Sequence, residues 1–285
     1  GIAYIYNADG TNQVILNADV ITSNNRFGYS CAAGGGKVAV GAYGDDTYRG
    51  SVFIFDEDGT NRIKVTASDR ATYDYFGFSI AIANNKLIVG AYGHEDTGSG
   101  KGCVYVYDLD GTNEVKIQAS DAENGDAFGH SVAGDGDKIL VGAYSEDTGA
   151  SGAGSAYLYN YDGTGEIKFQ SNDVQSSSQF ARGSLLVDGE FIIVGNVSYD
   201  GITSKGGALE KFIYDSDAGT VTYDSTLPLP SHTSSYHGEF QGGNIAYDTT
   251  ARKMVYGNRY QTVTGLTNAG QVFVFDYNQS STASG

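Results

Sequence analysis

The sequence repeats itself, and the spacing within the repeat constrains the fold more than any other feature. A Phe-Gly pair recurs along the chain, and a second glycine lies fourteen residues after the phenylalanine in the first three copies. Weaker copies of the pair occur at Phe180 and Phe240. One unit of about fifty residues is thus used five times, a period typical of solenoids, propellers and arrays. The three regular copies are Phe27-Gly28 with Gly41, Phe76-Gly77 with Gly90, and Phe128-Gly129 with Gly142.

Each unit divides into four segments that predict β-strands. The Phe-Gly segment is strand a, and the Val-Gly-Ala-Tyr segment around Gly90 is strand b. An apolar, aromatic run such as 104–107 is strand c, and an Asp-Gly-Thr turn at Asp110 leads from it into the alternating strand d. Asp-Gly between two apolar runs is a strong hairpin signal. Each unit therefore predicts an antiparallel sheet of four strands.

Four-stranded repeats of this length predict an all-β protein, a β-propeller, because each blade covers its faces with its neighbours. We expect a single propeller domain of five blades over 1–285; six or seven blades are the alternatives if the chain is a fragment or assembles. A parallel β-solenoid is the competing architecture. Strand c occurs once more than five blades require, because 2–6 and 272–275 are copies of the same strand. The units fall at approximately 1–55, 56–107, 108–159, 160–214 and 215–277, followed by a tail at 278–285.

Composition agrees with strands and excludes some classes of function. The chain has 41 glycines, and no segment of twelve or more residues keeps a clean helical apolar period, so almost no helix is expected. The net charge of −17 would repel phosphate backbones and anionic lipids, which argues against nucleic-acid binding and against membrane surfaces. The sequence contains no run of eighteen apolar residues, so no membrane-spanning helix is predicted.

The two cysteines are expected to be unpaired. Cys31 aligns with Ile80 and Val132 of other repeats and is predicted to be a small buried apolar residue. Cys103 lies in a different strand of a different repeat, so no disulfide is predicted.

These repeats resemble the FG-GAP family, whose members pair Phe-Gly-x-Ser with a Val-Gly-Ala-Pro segment. Tyrosine replaces that proline here, at Tyr43, Tyr92 and Tyr144. The resemblance covers 1–170 well and 171–285 loosely. The stretch 108–113 is also similar to repeat arrays in virion proteins of marine cyanobacterial phages. The resemblance implies a propeller located on a virion, outside the cell or at the cell surface.

The resemblance raises the question of whether the chain binds calcium. FG-GAP calcium sites use an Asp-rich loop between strands a and b, and that loop is shortened here. Only the third unit keeps two carboxylates in it, so Asp135 and Asp137 are the candidate metal ligands. The Asp-x-Asp-Gly turns also resemble the start of an EF-hand loop, but they lack its bidentate glutamate and are interpreted as hairpin turns.

Strand parity predicts that the long b–c and d–a loops share one face. Carboxylates can bind sugar hydroxyls and tyrosine rings can stack on sugar faces, so this face is predicted to bind a host-surface glycan or protein. The competing interpretation, that these acids cap turns, is favoured by their recurrence in every repeat. The candidate ligand-binding residues here are Asp45, Asp46, Tyr48, His94, Glu95, Asp96, Glu146 and Asp147.

An irregular insertion at 227–239 breaks the symmetry of the last unit. It adds His232, Tyr236 and His237 to the candidate contact residues. A serine–histidine pair is conceivable there, but no nucleophile-elbow pattern surrounds it, and no metal-protease or phosphate-binding motif occurs elsewhere.

Three functions remain. The first is a non-enzymatic display or adhesion module, such as part of a tail fibre or capsid decoration on a virion, or an extracellular protein. The second is a structural subunit of a fibre or filament that pairs with copies of itself through the surplus strand c, so that a homo-oligomer or larger assembly is expected. The third is a polysaccharide-acting enzyme on a propeller scaffold. The lack of a catalytic motif favours the first.

Overall fold

The structure is a computed structural model that describes residues 1–18, 24–95, 100–183, 185–188, 191–196, 208–227, 245–248, 253–258 and 271–276. In these ranges antiparallel strands form six sheets, numbered here in chain order. Sheet 1 has two strands, sheets 2 to 5 have four each, and sheet 6 has three. The described residues include one helical segment, α1 (Asp45–Tyr48), an irregular turn in which Asp46 and Thr47 have left-handed dihedral angles. The prediction of an all-β chain with almost no helix is confirmed.

The strand boundaries follow the repeat. Sheet 1 contains β1 (Ala3–Ile5) and β2 (Val14–Leu16). Sheet 2 contains β3 (Cys31–Gly34), β4 (Lys37–Gly41), β5 (Val52–Asp56) and β6 (Ile63–Val65). Sheet 3 contains β7 (Ser79–Ala83), β8 (Lys86–Ala91), β9 (Cys103–Asp108) and β10 (Val115–Ile117). Sheet 4 contains β11 (Phe128–Asp135), β12 (Lys138–Ala143), β13 (Ser155–Asn160) and β14 (Ile167–Phe169). Sheet 5 contains β15 (Leu185–Asp188), β16 (Phe191–Asn196), β17 (Ala208–Asp215) and β18 (Thr220–Leu227), and sheet 6 contains β19 (Ile245–Asp248), β20 (Lys253–Asn258) and β21 (Gln271–Asp276).

The four-stranded sheets are the blades of a β-propeller. Each has strands a, b, c and d in that order, and the first strands of successive sheets lie against one another. Sheet 1 consists of strands c and d, and sheet 6 of strands a, b and c. The sheets are therefore offset by one strand from the repeat units of the sequence. The number of blades in a closed ring stays a prediction.

Hairpin turns of the same construction join strands c and d. At Asp110, Oδ1 accepts hydrogen bonds from Thr112 N at 3.0 Å and Thr112 Oγ1 at 2.6 Å, and Gly111 has a φ of +81°. The hydroxyl of Thr112 lowers the pKa of Asp110. The carboxylate is thus engaged by its own turn, as the hairpin interpretation requires. The same contacts recur at Asp9, Asp58 and Asp162.

Successive sheets pack face to face through a repeated apolar interface. We call the face toward the following sheet the front face, and the face toward the preceding sheet the back face. Ile54 and Val65 on the front face of sheet 2 pack with Phe76, Tyr105 and Tyr107 of sheet 3. Equivalent clusters join sheet 1 to 2, 3 to 4 and 4 to 5. In sheets 2 to 4 the aromatic rings of strand c are therefore buried by the preceding sheet, which is how blades stabilise one another.

The serine of strand a and the glycine of strand b meet the next blade at the same contact in each regular repeat. Ser79 Oγ, three residues after Phe76, donates to the carbonyl of Gly129 in the next Phe-Gly turn at 2.8 Å. Gly90 lies at the same contact, and a Cβ there would come within 1.9 Å of that carbonyl oxygen. The same arrangement occurs at Gly41 and Gly142. The motif spacing thus encodes how closely adjacent blades approach.

The prediction that Cys31 is buried is wrong. Cys31 is exposed, whereas Ile80 at the equivalent position is buried. Ile80 packs in the core between sheets 2 and 3. Sheet 1 has only strands c and d in the described residues, so the back face of strand a in sheet 2 lacks that cover. Cys31 and Cys103 are both free thiols, as predicted.

Candidate functional site

The b–c and d–a loops meet at each junction between blades. The amide of Tyr75 donates to the carbonyl of Tyr48 at 2.9 Å, and the amide of Phe76 donates to the carbonyl of Arg49 at 3.3 Å. Equivalent bonds run from Phe128 to Lys101 and from Phe180 to Ala153. These backbone bonds place the loops that carry the sequence candidates on one surface, which we call the loop face.

Asp45 is buried at the base of the loop face and is bound by the protein itself. It accepts hydrogen bonds from Asn25 Nδ2 at 3.0 Å, Ser51 Oγ at 2.6 Å and Lys64 Nζ at 2.6 Å. Burial raises the pKa of Asp45, but Lys64 and Ser51 outweigh it, so the pKa lies below the ordinary value. Asp45 therefore ties strands c and d to the loop that enters the sheet.

His94 and Glu146 occupy the position of Asp45 in the next two repeats, and both are buried. His94 Nδ1 lies 3.0 Å from Asp74 Oδ2; burial lowers the pKa of His94, but Asp74 raises it above the usual value. Glu146 accepts from Ser155 Oγ at 2.6 Å and Lys168 Nζ at 2.8 Å. In the structure both side chains form contacts that hold the loops in place. A ligand-binding role for them stays a prediction.

The remaining acidic candidates lie at the surface. Asp46, Glu95 and Asp147 are exposed. Asp46 Oδ2 is 3.1 Å from Arg49 Nη1 and 3.3 Å from Arg70 Nη2, and Asp147 Oδ1 accepts from the amide of Gly152 at 2.6 Å. Asp46 and Asp147 can therefore meet a ligand only in competition with these local partners. Asp96, His232, Tyr236 and His237 lie outside the described residues.

A calcium-binding role for Asp135 and Asp137 stays a prediction. Asp137 is bound by Lys138 Nζ at 2.6 Å, which lowers the pKa of the Asp137 carboxyl. Among the described residues, no group of three or more His, Cys, Asp or Glu side chains is placed to hold a metal ion. Because calcium takes six to eight oxygen ligands, Asp135 and Asp137 alone fit it poorly.

Tyrosines cluster where the loops of sheets 2 and 3 meet. The rings of Tyr48 and Tyr73 are stacked, with centroids 5.8 Å apart and planes at 19°. Tyr75 contacts both of them and stacks on Tyr92 at 4.9 Å and 5°. Tyr43 packs against Tyr48 and Tyr75. Tyr73 is 55% exposed. We call Tyr48, Tyr73 and Tyr75 the tyrosine platform.

All three platform residues, including Tyr48 with a φ of +61°, stand on backbone that bulky side chains rarely adopt. Tyr73 has a φ of +70° and Tyr75 a φ of +58°. The equivalent positions in the other described repeats are also left-handed, but there they carry smaller or more flexible residues. A bulky residue at positive φ is uncommon and costs stability, and such strain clusters at functional sites. The equivalent pairs are Asn24 and Arg26, Gly125 and Ala127, and Ser177 and Gln179.

Sequence reasoning found Tyr48 but missed Tyr73 and Tyr75 as specific site residues. A comparison of the residues just before each Phe-Gly pair contains the signal, because only the second of the first four copies has tyrosine at both positions. The left-handed backbone that makes those tyrosines unusual becomes apparent only in the structure.

One buried acid of the loop face should give a pH-dependent stability. Asp126 is buried near Glu146, and burial together with Glu146, Glu123 and Asp121 raises its pKa to about 6. With a folded-state pKa above the unfolded value, the protonated form stabilises the fold, and this contribution is lost as pH rises from about 4 through about 6. Asp126→Asn should therefore stabilise the protein by about 1 to 2 kcal/mol at pH 7.5 and by almost nothing at pH 4.

Denaturant unfolding at both pH values measures this effect. The substitution is conservative, because Asn25 at the same position in the first repeat already donates to the acid that faces it. Asp74→Asn provides the control, since Asp74 faces His94 and its removal should destabilise the protein instead. Equal effects of Asp126→Asn at pH 4 and pH 7.5 would contradict the assignment.

The described residues contain no helix long and apolar enough to cross a membrane. Their sheets, stacked through repeated faces with long loops at one end, define a β-propeller repeat protein. Residues 11–55, 60–107 and 112–159 match the FG-GAP repeat family.

Comparison with known proteins adds two findings. No curated protein matches the chain. Among solved structures, the chain is similar to the β-propeller domain of the Trilobed protease from Pyrococcus furiosus, which its description says has an open velcro topology. The two are 12% identical with a TM-score of 0.49, over 87% of this chain and 68% of that chain.

Proposed function

We propose that the chain is a non-enzymatic recognition module that binds host-surface glycans through the tyrosine platform. Tyr73 and Tyr75 support this most directly, because among the described repeats they place aromatic rings at these strained positions in one blade only. The rings cannot be explained by repeat architecture, since the other described repeats form the same loop without them.

The chemistry around the platform suits a sugar. A pyranose ring presents an apolar C–H face that packs on an aromatic ring, and its hydroxyl groups need donors and acceptors at the edge. Tyr73 offers an exposed ring, while Asp46 forms ion pairs with Arg49 and Arg70 in the loops that carry Tyr48 and Tyr73. An exposed aromatic ring supported by stacked neighbours, with charged groups in the same loops, can therefore hold and orient a saccharide.

The setting of the module is also part of the proposal. The similarity of 108–113 to repeat arrays of phage virion proteins supports display on a virion, with an extracellular or cell-surface location as the alternative. On either surface, loops carried by rigid blades favour recognition.

Glycan-array binding tests the proposal with a variant that the chain itself supplies. Tyr73→Asn with Tyr75→Arg gives the second repeat the residues of the first, Asn24 and Arg26, on the same left-handed backbone. The loss of two stacking rings should weaken glycan binding by about tenfold or more. The thermal stability should be unchanged or slightly raised, because the strained tyrosines are gone.

The matched control makes the same change at another junction. Ser177→Asn with Gln179→Arg alters the equivalent loop of the fourth repeat and should leave glycan binding intact. Binding of the wild-type chain to no glycan on a broad panel, or full binding by the Tyr73 and Tyr75 variant, would refute the platform. Binding to host cells that persists after enzymatic deglycosylation would identify a protein ligand instead.

A further inference from the structure

Sheet 1 presents an apolar back face to solvent. Tyr4 and Tyr6 are 51% and 50% exposed, and Ile15, which pairs with Tyr4 in register, is 54% exposed. At the positions of Tyr4 and Tyr6, sheets 2 to 4 carry aromatic residues that are at most 3% exposed. Those rings are buried because the front face of the preceding sheet packs on them. They are Phe53 and Phe55, Tyr105 and Tyr107, and Tyr157 and Tyr159.

Ile15 makes this face more apolar than its equivalents. The residues at its position in sheets 2 to 4 are Lys64, Lys116 and Lys168, and each forms an ion pair with an acid of the loop face. Isoleucine in place of lysine joins Ile15 to Tyr4 and Tyr6 in one apolar patch. Contiguous exposed apolar patches mark interaction sites on soluble proteins.

Sheet 6 presents the complementary front face to solvent. Val255 and Val274 lie opposite each other in register and are 37% and 63% exposed. Their equivalents in sheets 2 to 4 are at most 2% exposed, because the following sheet covers them. These equivalents are Ala39 and Ile54, Ile88 and Val106, and Leu140 and Leu158.

We propose that the back face of sheet 1 packs on the front face of sheet 6 in a second copy of the chain, so that copies associate head to tail. The chain already forms this kind of front-to-back contact between successive sheets. The back face of sheet 1 and the front face of sheet 6 have the shapes and the apolar character of the two sides of that contact. Because the two sides differ, the contact is heterologous, and repeating it yields either a closed ring of chains or a filament.

Sedimentation and light scattering over a concentration series, with no glycan present, test the proposal apart from glycan recognition. The wild-type chain should form species of two or more copies that grow with concentration. Tyr4→Asp removes one half of the contact and Val274→Asp the other, so each variant alone should be monomeric. A mixture of the two keeps one intact pair of faces and should form a two-chain species and nothing larger.

Val174→Asp is the control, because Val174 is as exposed as Val255 but lies in a loop rather than on an end face. It should associate like the wild type. A wild-type chain that stays monomeric at its highest soluble concentration would overturn the proposal. In that case a lower melting temperature for Tyr4→Asp would show that the two faces pack within one chain. Self-association of either end-face variant alone would also overturn it.

Discussion

Replacing Gly90 with alanine should destabilise the protein by about 3 kcal/mol or more. The new methyl group would lie 1.9 Å from the carbonyl oxygen of Gly129 and 2.2 Å from Ser79 Oγ. Moving either atom away is costly, because the carbonyl belongs to the Phe-Gly turn of the next blade and accepts a hydrogen bond from the hydroxyl of Ser79. Relief would require sheets 3 and 4 to move apart, which would open their shared core. Denaturant unfolding measures the loss.

Two further alanine substitutions distinguish the close approach of the blades from backbone conformation as the cause of this loss. Gly142→Ala should have a similar effect, since its Cβ would lie 2.1 Å from the carbonyl oxygen of Ala181. Gly136→Ala is the control for backbone conformation alone: Gly136 has a φ of +52° and open space around it, so the substitution should cost about 1 kcal/mol. If Gly90→Ala costs no more than Gly136→Ala, close approach of the blades does not explain the glycine.

The four-stranded unit could be predicted because its signals are local. Asp110-Gly111 forms a hairpin from a few neighbouring residues, and the alternation in strand d needs only a period of two. Cys31 shows where that approach fails. Alignment assigned it the environment of Ile80, but burial depends on whether a complete sheet precedes the strand, which a repeat alignment does not reveal.

The candidate site was predictable in its location and less so in its chemistry. Asp45 and Glu146 were identified as loop-face acids, but the lysines that bind them, Lys64 and Lys168, were not. Lys168 also reaches Asp121, 47 residues earlier, in the loop entering its own sheet. Such contacts join strand d to loops about 20 to 50 residues earlier in the chain, and no local pattern in the sequence predicts them.

Replacing Lys168 with methionine should destabilise the protein by about 2 to 4 kcal/mol near pH 7. Lys168 Nζ lies 2.6 Å from Asp121 Oδ2, 2.8 Å from Glu146 Oε1 and 2.8 Å from Thr148 Oγ1. Methionine would retain most of the packing of the lysine stem and remove its charge. Glu146 would then be a buried carboxylate without its cation, which is the costly way to break an ion pair.

The loss should depend on pH in a defined direction. Burial raises the pKa values of Asp121 and Glu146, but Lys168 outweighs it and holds both below their ordinary values. A carboxyl with a depressed folded-state pKa contributes stability above its unfolded pKa, and loses it as pH falls through the folded value. The difference between Lys168→Met and wild type should thus be largest near pH 7 and shrink toward pH 3. Glu146→Gln should recover part of it at pH 7, since glutamine still accepts from Ser155.

Lys86→Met is the matched control, because Lys86 pairs with the half-exposed Asp108. Its loss should cost far less than the loss of Lys168, because exposed ion pairs contribute little to stability. Together the two lysines distinguish the roles open to the acids of the loop face. A large, pH-dependent cost confined to Lys168 would mean that Glu146 and Asp121 hold the blade junction, leaving the tyrosine platform as the part of the face free to bind. Equal, small costs at both lysines would leave Glu146 available as a candidate ligand-binding residue.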